Sequence, residues 1–188
     1  VKFSVSNFKS FRENFEIDFT KVYNYDFNTE CIKNNCINNA IVYGRNGVGK
    51  SNLGFAIFDI IEHLTDKNKG ERNYNNYTNA YSMVNYAEFY YEFLIDNKRV
   101  TYIYRKDEYG TLLYEDFSID SEQLAFIDKN SSYKANIKFK GAETLNNNLQ
   151  TNVTLSVLKY IKNNAVLENN ATNTTFEKFM IFVDRMLF

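Results

Sequence analysis

The chain has 188 residues, 44% of them hydrophobic, and a formal net charge of −1 from 22 basic and 23 acidic side chains. That length makes one domain, or one domain with a substantial insertion, and the apolar content suffices for a real core. The near-neutral balance gives no bulk electrostatic case for nucleic acid or an anionic membrane, and no apolar run approaches a membrane span.

Residues 1–6 alternate, with Val1, Phe3 and Val5 on one face and Lys2, Ser4 and Ser6 on the other, which predicts a half-buried strand. A polar and aromatic turn over 7–13 leads to a second alternating run at 14–19, with Phe15, Ile17 and Phe19 inward. Residues 21–37 read as an irregular excursion carrying both cysteines, Cys31 and Cys36. Two thiols and the single His63 do not make a four-ligand zinc site, and beside a nucleotide loop reduced cytosolic thiols are the better reading.

Ala40, Ile41, Val42 and Tyr43 then read as a short buried strand bounded by Asn38 and Asn39. Gly44, Arg45, Asn46, Gly47, Val48, Gly49, Lys50 and Ser51 follow, a full G-x-x-x-x-G-K-[ST] phosphate-binding loop. At average residue frequencies this pattern arises by chance in about one chain of this length in a hundred. Leu53, Ala56, Ile57, Ile60, Ile61 and Leu64 then recur at helical spacing, so the loop opens an amphipathic helix. Free amides and the positive dipole end of a helix N-terminus favour an anion there. The glycines let the backbone approach phosphate oxygens closely; Lys50 would reach the β- and γ-phosphates, and the Ser51 hydroxyl would ligate Mg²⁺. His63 reads as a helix-end residue rather than a catalyst.

Residues 66–84 are polar and aromatic without period and read as a loop or insertion. A hairpin is predicted over 86–105, turning at Asp96, Asn97 and Lys98, with further strands near 111–119, 123–127 and 134–139. Leu155, Leu158 and Ile161 mark one helix, and Phe176, Phe179, Met180, Val183, Met186 and Leu187 mark another. The expected fold class is α/β around the phosphate loop, with an antiparallel β-rich lobe inserted after the first helix.

Three stretches carry a family resemblance, and a fourth fits it. VKFSVSNFKSFRENFEIDF at 1–19 resembles the opening of the ABC-type ATPase heads of the SMC and RecF group. AIVYGRNGVGKSNL at 40–53 resembles that group's form of the loop, which extends the site to Asn52. The block from 87 to 117 is similar to the β-rich lobe of bacterial AAA-family ATPases related to the OLD family and to Septu-like antiphage systems, and 152–163 to the helix after it. The resemblance implies an ATPase core over 1–65, a polar loop over 66–84, a β-rich lobe over 85–140 and a helical segment over 141–188. It also implies ATP and Mg²⁺ as ligands, with Asn46 near the terminal phosphate and Lys9, Ser10 and Arg12 near the nucleotide. As charged turn residues, Lys9 and Arg12 are read equally well as merely solvated. Such heads work as head-to-head dimers in the cytoplasm and control an effector, a nuclease or toxin in antiphage defence; nucleic acid would be engaged only by the intact complex, and no membrane.

The departures are as informative. The glutamine these heads carry soon after the first helix has no counterpart, since Gln123 and Gln150 lie far downstream. Leu155-Ser156-Val157-Leu158 lacks the glycine of the L-S-x-G signature. Asp96 and Asp184 each end a hydrophobic run, but the first reads as a hairpin turn and the second fits a helix and precedes Arg185 rather than Glu. With the apolar run 179–188, these absences lead to the expectation of an N-terminal half of a longer ATPase. The alternative is a regulatory module that binds nucleotide without turnover. A GTPase is disfavoured, because Asn68-Lys69-Gly70-Glu71 and Asn97-Lys98-Arg99-Val100 both lack the Asp of N-K-x-D.

Overall fold

The computed structural model describes residues 1–23, 26–65, 67, 76–150 and 154–187. Asn68-Lys69-Gly70-Glu71, most of the first ten residues of the predicted 66–84 loop, and residues 152 and 153 lie outside the described residues. The chain is an α/β protein: one seven-stranded antiparallel sheet and three helices among the described residues.

Strands β1 (Lys2–Ser6) and β2 (Phe15–Asp18) form where the sequence alternates. A short 3₁₀ turn (Thr29–Cys31) and a two-residue hairpin, β3 (Ile32–Lys33) and β4 (Cys36–Ile37), make up the excursion. Helix α1 (Lys50–Leu64) follows, then the long hairpin β5 (Tyr86–Ile95) and β6 (Lys98–Asp107). Asp96 and Asn97 between them take φ of 51° and 59°, the left-handed pair a tight hairpin turn requires. Strands β7 (Leu112–Ile119), β8 (Glu122–Asp128) and β9 (Ser132–Ile137) continue the meander, and α2 (Val157–Asn164) and α3 (Ala171–Arg185) close the chain.

The sheet order is β2-β1-β5-β6-β7-β8-β9. The N-terminal hairpin therefore belongs to the same sheet as the predicted lobe, because β1 pairs along β5 from Lys2↔Glu92 to Ser6↔Glu88. One face of this sheet carries Phe89, Tyr91, Tyr102, Tyr104 and Phe117, all buried, and the helices cover it. Tyr91 donates its hydroxyl to the Ala56 carbonyl of α1 at 2.9 Å, and Phe93 packs on Phe179 of α3 at 5.6 Å. On the other face Arg105 lies between the Tyr86 and Tyr114 rings and bonds Glu88 at 2.6 Å. Aromatic burial contributes to the cohesion, since each such ring removes a large apolar area from water.

One predicted element is not formed. Residues 40–43 are neither strand nor buried: Ile41 is 90% exposed and Tyr43 91%. Their apolar side chains favour burial, but burial on both faces of a strand needs neighbours on both sides, and none stands there among the described residues. Asp96 lies in the β5–β6 turn bonded to Lys178, and Asp184 lies in α3, 3.2 Å from Lys67. No described helix is long and apolar enough to cross a membrane.

Candidate functional site

The glycine loop runs into α1 with Gly49 as its N-cap, at φ 97° and ψ 9°. A Cβ there would be strained by the backbone and would meet the Ser10 hydroxyl oxygen at 2.7 Å, so this position demands glycine. Gly47, at φ 83°, has open space around it, so backbone conformation alone asks for glycine there. The cap offers no side-chain acceptor and the first turn holds no acidic residue. The first helical amides, which have no intrahelical partner, are therefore left for an outside acceptor.

The Lys50 ammonium turns back over the loop and donates to the carbonyls of Gly44 (2.8 Å) and Arg45 (2.7 Å). Positive charge is thus held against the loop whose amides and dipole already favour an anion. Ser51 is exposed in the first turn, and Asn52 reaches across to donate to the Ser10 hydroxyl at 3.0 Å. Asn46 and Val48 lie on the exposed outer part of the loop.

The N-terminal turn is part of the same neighbourhood. Asn7 and Lys9 both adopt positive φ (51° and 47°), bending the chain back toward α1. Buried Asn7 donates its amide to the carbonyls of Val84 (2.6 Å) and Tyr86 (2.7 Å) and accepts from the Asn79 amide at 3.2 Å. Asn79 in turn donates its side-chain amide to the Lys9 carbonyl at 2.6 Å. The ammonium of Lys9 lies over the Phe8 and Phe55 rings at 5.5 and 5.9 Å, and burial lowers its pKa against the pull of Asp59 and Glu62. Arg12 is mostly exposed, 3.6 Å from Glu13.

Lys9, Ser10, Arg12 and Asn52 consequently share one cleft of about 600 Å³, with Asn79 and Tyr81 on its opposite wall. That wall comes from the stretch read as a polar loop. Its burial of Tyr77 and its bonds to Asn7 and Lys9 had no signal in an Asn- and Tyr-rich run without period.

The far end of α1 behaves differently. His63 is buried, stacks on Tyr104 at 4.3 Å, and leaves Nε2 without a hydrogen bond, 4.0 Å from Glu115 Oε1. Burial, then Lys106, Lys129 and Lys159, hold its pKa well below 6.5, so it is a neutral core residue. An imidazole depressed in this way contributes stability that is full above 6.5 and is lost as pH falls through the folded value. Glu115, raised by burial, acts with the opposite sign: its contribution is present below 4.5 and lost as pH rises through its folded value. His63→Phe keeps the stacking and removes only the histidine's contribution. Relative to wild type, the variant should gain about 1.4 kcal/mol per unit as pH falls below the usual histidine value. Urea unfolding of both proteins across that range measures the difference; parallel curves would mean that His63 titrates as in the unfolded chain.

No protein-family model matches the chain, and no curated protein matches it.

Proposed function

We propose that the chain binds ATP with Mg²⁺ at residues 44–52 and is the nucleotide-binding portion of an SMC- or OLD-like ATPase head. The observation that carries this reading is the complete phosphate-loop motif at the N-terminus of α1, with Lys50 folded over the loop carbonyls. The residues fit the ligand. Loop amides and Lys50 would take the phosphates, the Ser51 hydroxyl the metal, and Ser10 and Asn52 would brace the loop from the N-terminal turn. Magnesium, when bound, supplies neutralising charge for phosphoryl transfer.

In this reading the intact head hydrolyses ATP as a head-to-head dimer and controls an effector, a nuclease or toxin, in antiphage defence. The exposed apolar residues Ile41, Val42 and Tyr43 support it, because such a segment ahead of a phosphate loop suits a strand that others cover on both faces. A second reading, a regulatory module without turnover, is favoured by one observation. Asp96 and Asp184, the two aspartates ending hydrophobic runs, are tied to Lys178 and Lys67 in a turn and in α3.

Calorimetric titration with Mg·ATP, with phosphate release followed in parallel, tests both readings. Lys50→Ala should weaken binding about ten- to a hundredfold, the range of one charge-assisted contact. Unchanged affinity in Lys50→Ala would overturn nucleotide binding at this loop. Binding without phosphate release would support the regulatory reading for these residues, and robust release would remove it.

A further inference from the structure

We propose that the cleft between the N-terminal turn and residues 76–81 is the subsite for the nucleoside of the loop's ligand, with Tyr81 as the ring on which the base stacks. This rests on the phosphate-loop reading above and adds to it the part of the ligand that the loop does not hold.

Position comes first. Ser10 and Asn52 line the cleft, are bonded to each other, and Ser10 lies against Gly49. The cleft therefore begins where the phosphate loop ends. Its volume of about 600 Å³ lies within the range of small-molecule sites.

The lining chemistry comes second. A nucleoside needs a flat apolar surface for the base and hydrogen-bonding groups for its edge and ribose. Tyr81 offers the ring, Asn76 and Thr78 offer amide and hydroxyl groups, and Arg12 stands at the rim as a cation. Tyr81 is 82% exposed, although a tyrosine so placed pays apolar exposure to water for no packing gain.

Third, the ring is exposed on a backbone that is held. The Tyr81 amide donates to Asn79 Oδ1 at 3.0 Å, and Asn79 is itself fixed to Asn7 and Lys9. Lys9 donates its amide to the Tyr77 carbonyl at 3.0 Å, and the Tyr77 hydroxyl donates to Asp59 of α1 at 2.7 Å. The wall is thus anchored to the helix that the phosphate loop opens. A pre-organised wall presenting an uncovered aromatic ring is the arrangement a stacking ligand uses, because little ordering remains to be done on binding.

Competition calorimetry with two probes, Mg·ATP and Mg·tripolyphosphate, on wild type, Tyr81→Ala, Tyr81→Phe and Lys50→Ala separates the possibilities. Tyr81→Ala should weaken ATP about tenfold and leave tripolyphosphate unchanged, with Tyr81→Phe close to wild type. Lys50→Ala should weaken both probes. If Lys50→Ala weakens both while Tyr81→Ala binds ATP as wild type does, the nucleoside subsite is overturned and the loop reading stands. Equal weakening of both probes by Tyr81→Ala would also overturn it, since Tyr81 would then act only by shaping the loop. If Lys50→Ala changes neither probe, the loop reading fails and the subsite falls with it.

Discussion

Glu115→Ala should lower the free energy of unfolding by about 3–5 kcal/mol, the range for stripping one partner from a buried charged network. Glu115 sits in the middle of β7 with no exposed surface, an unusual place for a carboxylate. It is kept there by four donors: the Ser156 hydroxyl at 2.6 Å, the Val157 amide at 2.7 Å, the Tyr102 hydroxyl at 2.8 Å and the Leu158 amide at 3.4 Å. Burial pushes its pKa up, and these donors pull it back. The carboxylate is in effect a cap delivered by the sheet to the N-terminus of α2, where the amides need an acceptor and the dipole favours negative charge. Ser156 caps the same helix locally by accepting from the Lys159 amide.

Alanine at 115 would leave two helix amides and the Ser156 and Tyr102 hydroxyls to find new partners in a dry interior. Gln is the informative control. Its carbonyl can keep the contacts made by Oε1, while its NH₂ group faces the Val157 amide, donor against donor. Glu115→Gln should therefore cost about 1–3 kcal/mol, less than Ala, the penalty of one badly satisfied buried group. Denaturant unfolding with both variants would show this order. Loss of under about 1 kcal/mol in Glu115→Ala would mean that the helix finds other acceptors at no greater cost than an ordinary surface change.

Neither Glu115 nor Asp59 appeared among the candidate residues, yet both left a trace in the sequence. In β7 the inward positions run Glu115, Phe117, Ile119, so the alternation of that strand also puts a carboxylate in the core. In α1, Asp59 follows Ala56 by three residues on the apolar face. A charge on the inward phase of a regular pattern signals a buried partner elsewhere, but one sequence does not name that partner. The tertiary packing does: Glu115 accepts from Tyr102 of β6 and from Ser156 and Val157 at the start of α2, and Lys106 of β6 donates to Asp59 of α1.

The hairpin at 86–105 was legible for local reasons, since alternation and an Asp-Asn turn need no distant information. The segment 40–43 was legible only as an appetite for burial. Its neighbours, not its own residues, decide whether that appetite is met. The cleft wall at 76–81 was illegible because its order comes from Asn7 and Asn79 meeting across 72 residues, with no periodicity to announce it.

Asp59→Ala should be as severe as Glu115→Ala, at about 3–5 kcal/mol, and more severe than removing the lysine with which it pairs. Asp59 Oδ2 accepts from the Lys106 ammonium at 2.6 Å and the Tyr104 hydroxyl at 2.7 Å, while Oδ1 accepts from the Tyr77 hydroxyl at 2.7 Å. Without the carboxylate, the Lys106 amine loses its partner in a site where its side chain is 3% exposed, and two tyrosine hydroxyls lose their acceptor. In Lys106→Met the carboxylate retains both tyrosine donors and the methionine fills the volume of the lysine stem, so the loss should be about half as large. The network joins three parts: the helix that begins at the phosphate loop, the sheet strand β6, and Tyr77, which leads into the wall carrying Tyr81. Asp59→Ala should therefore also weaken Mg·ATP binding under conditions where the variant remains folded, whereas Lys106→Met should leave it near wild type. Measuring both affinities beside both unfolding free energies separates a purely structural ion pair from one that also sets the cleft. If Asp59→Ala is destabilised but binds Mg·ATP as wild type does, the wall holds its place without the Tyr77 hydroxyl bond, and the anchoring rests on the bonds among Asn7, Lys9, Tyr77 and Asn79.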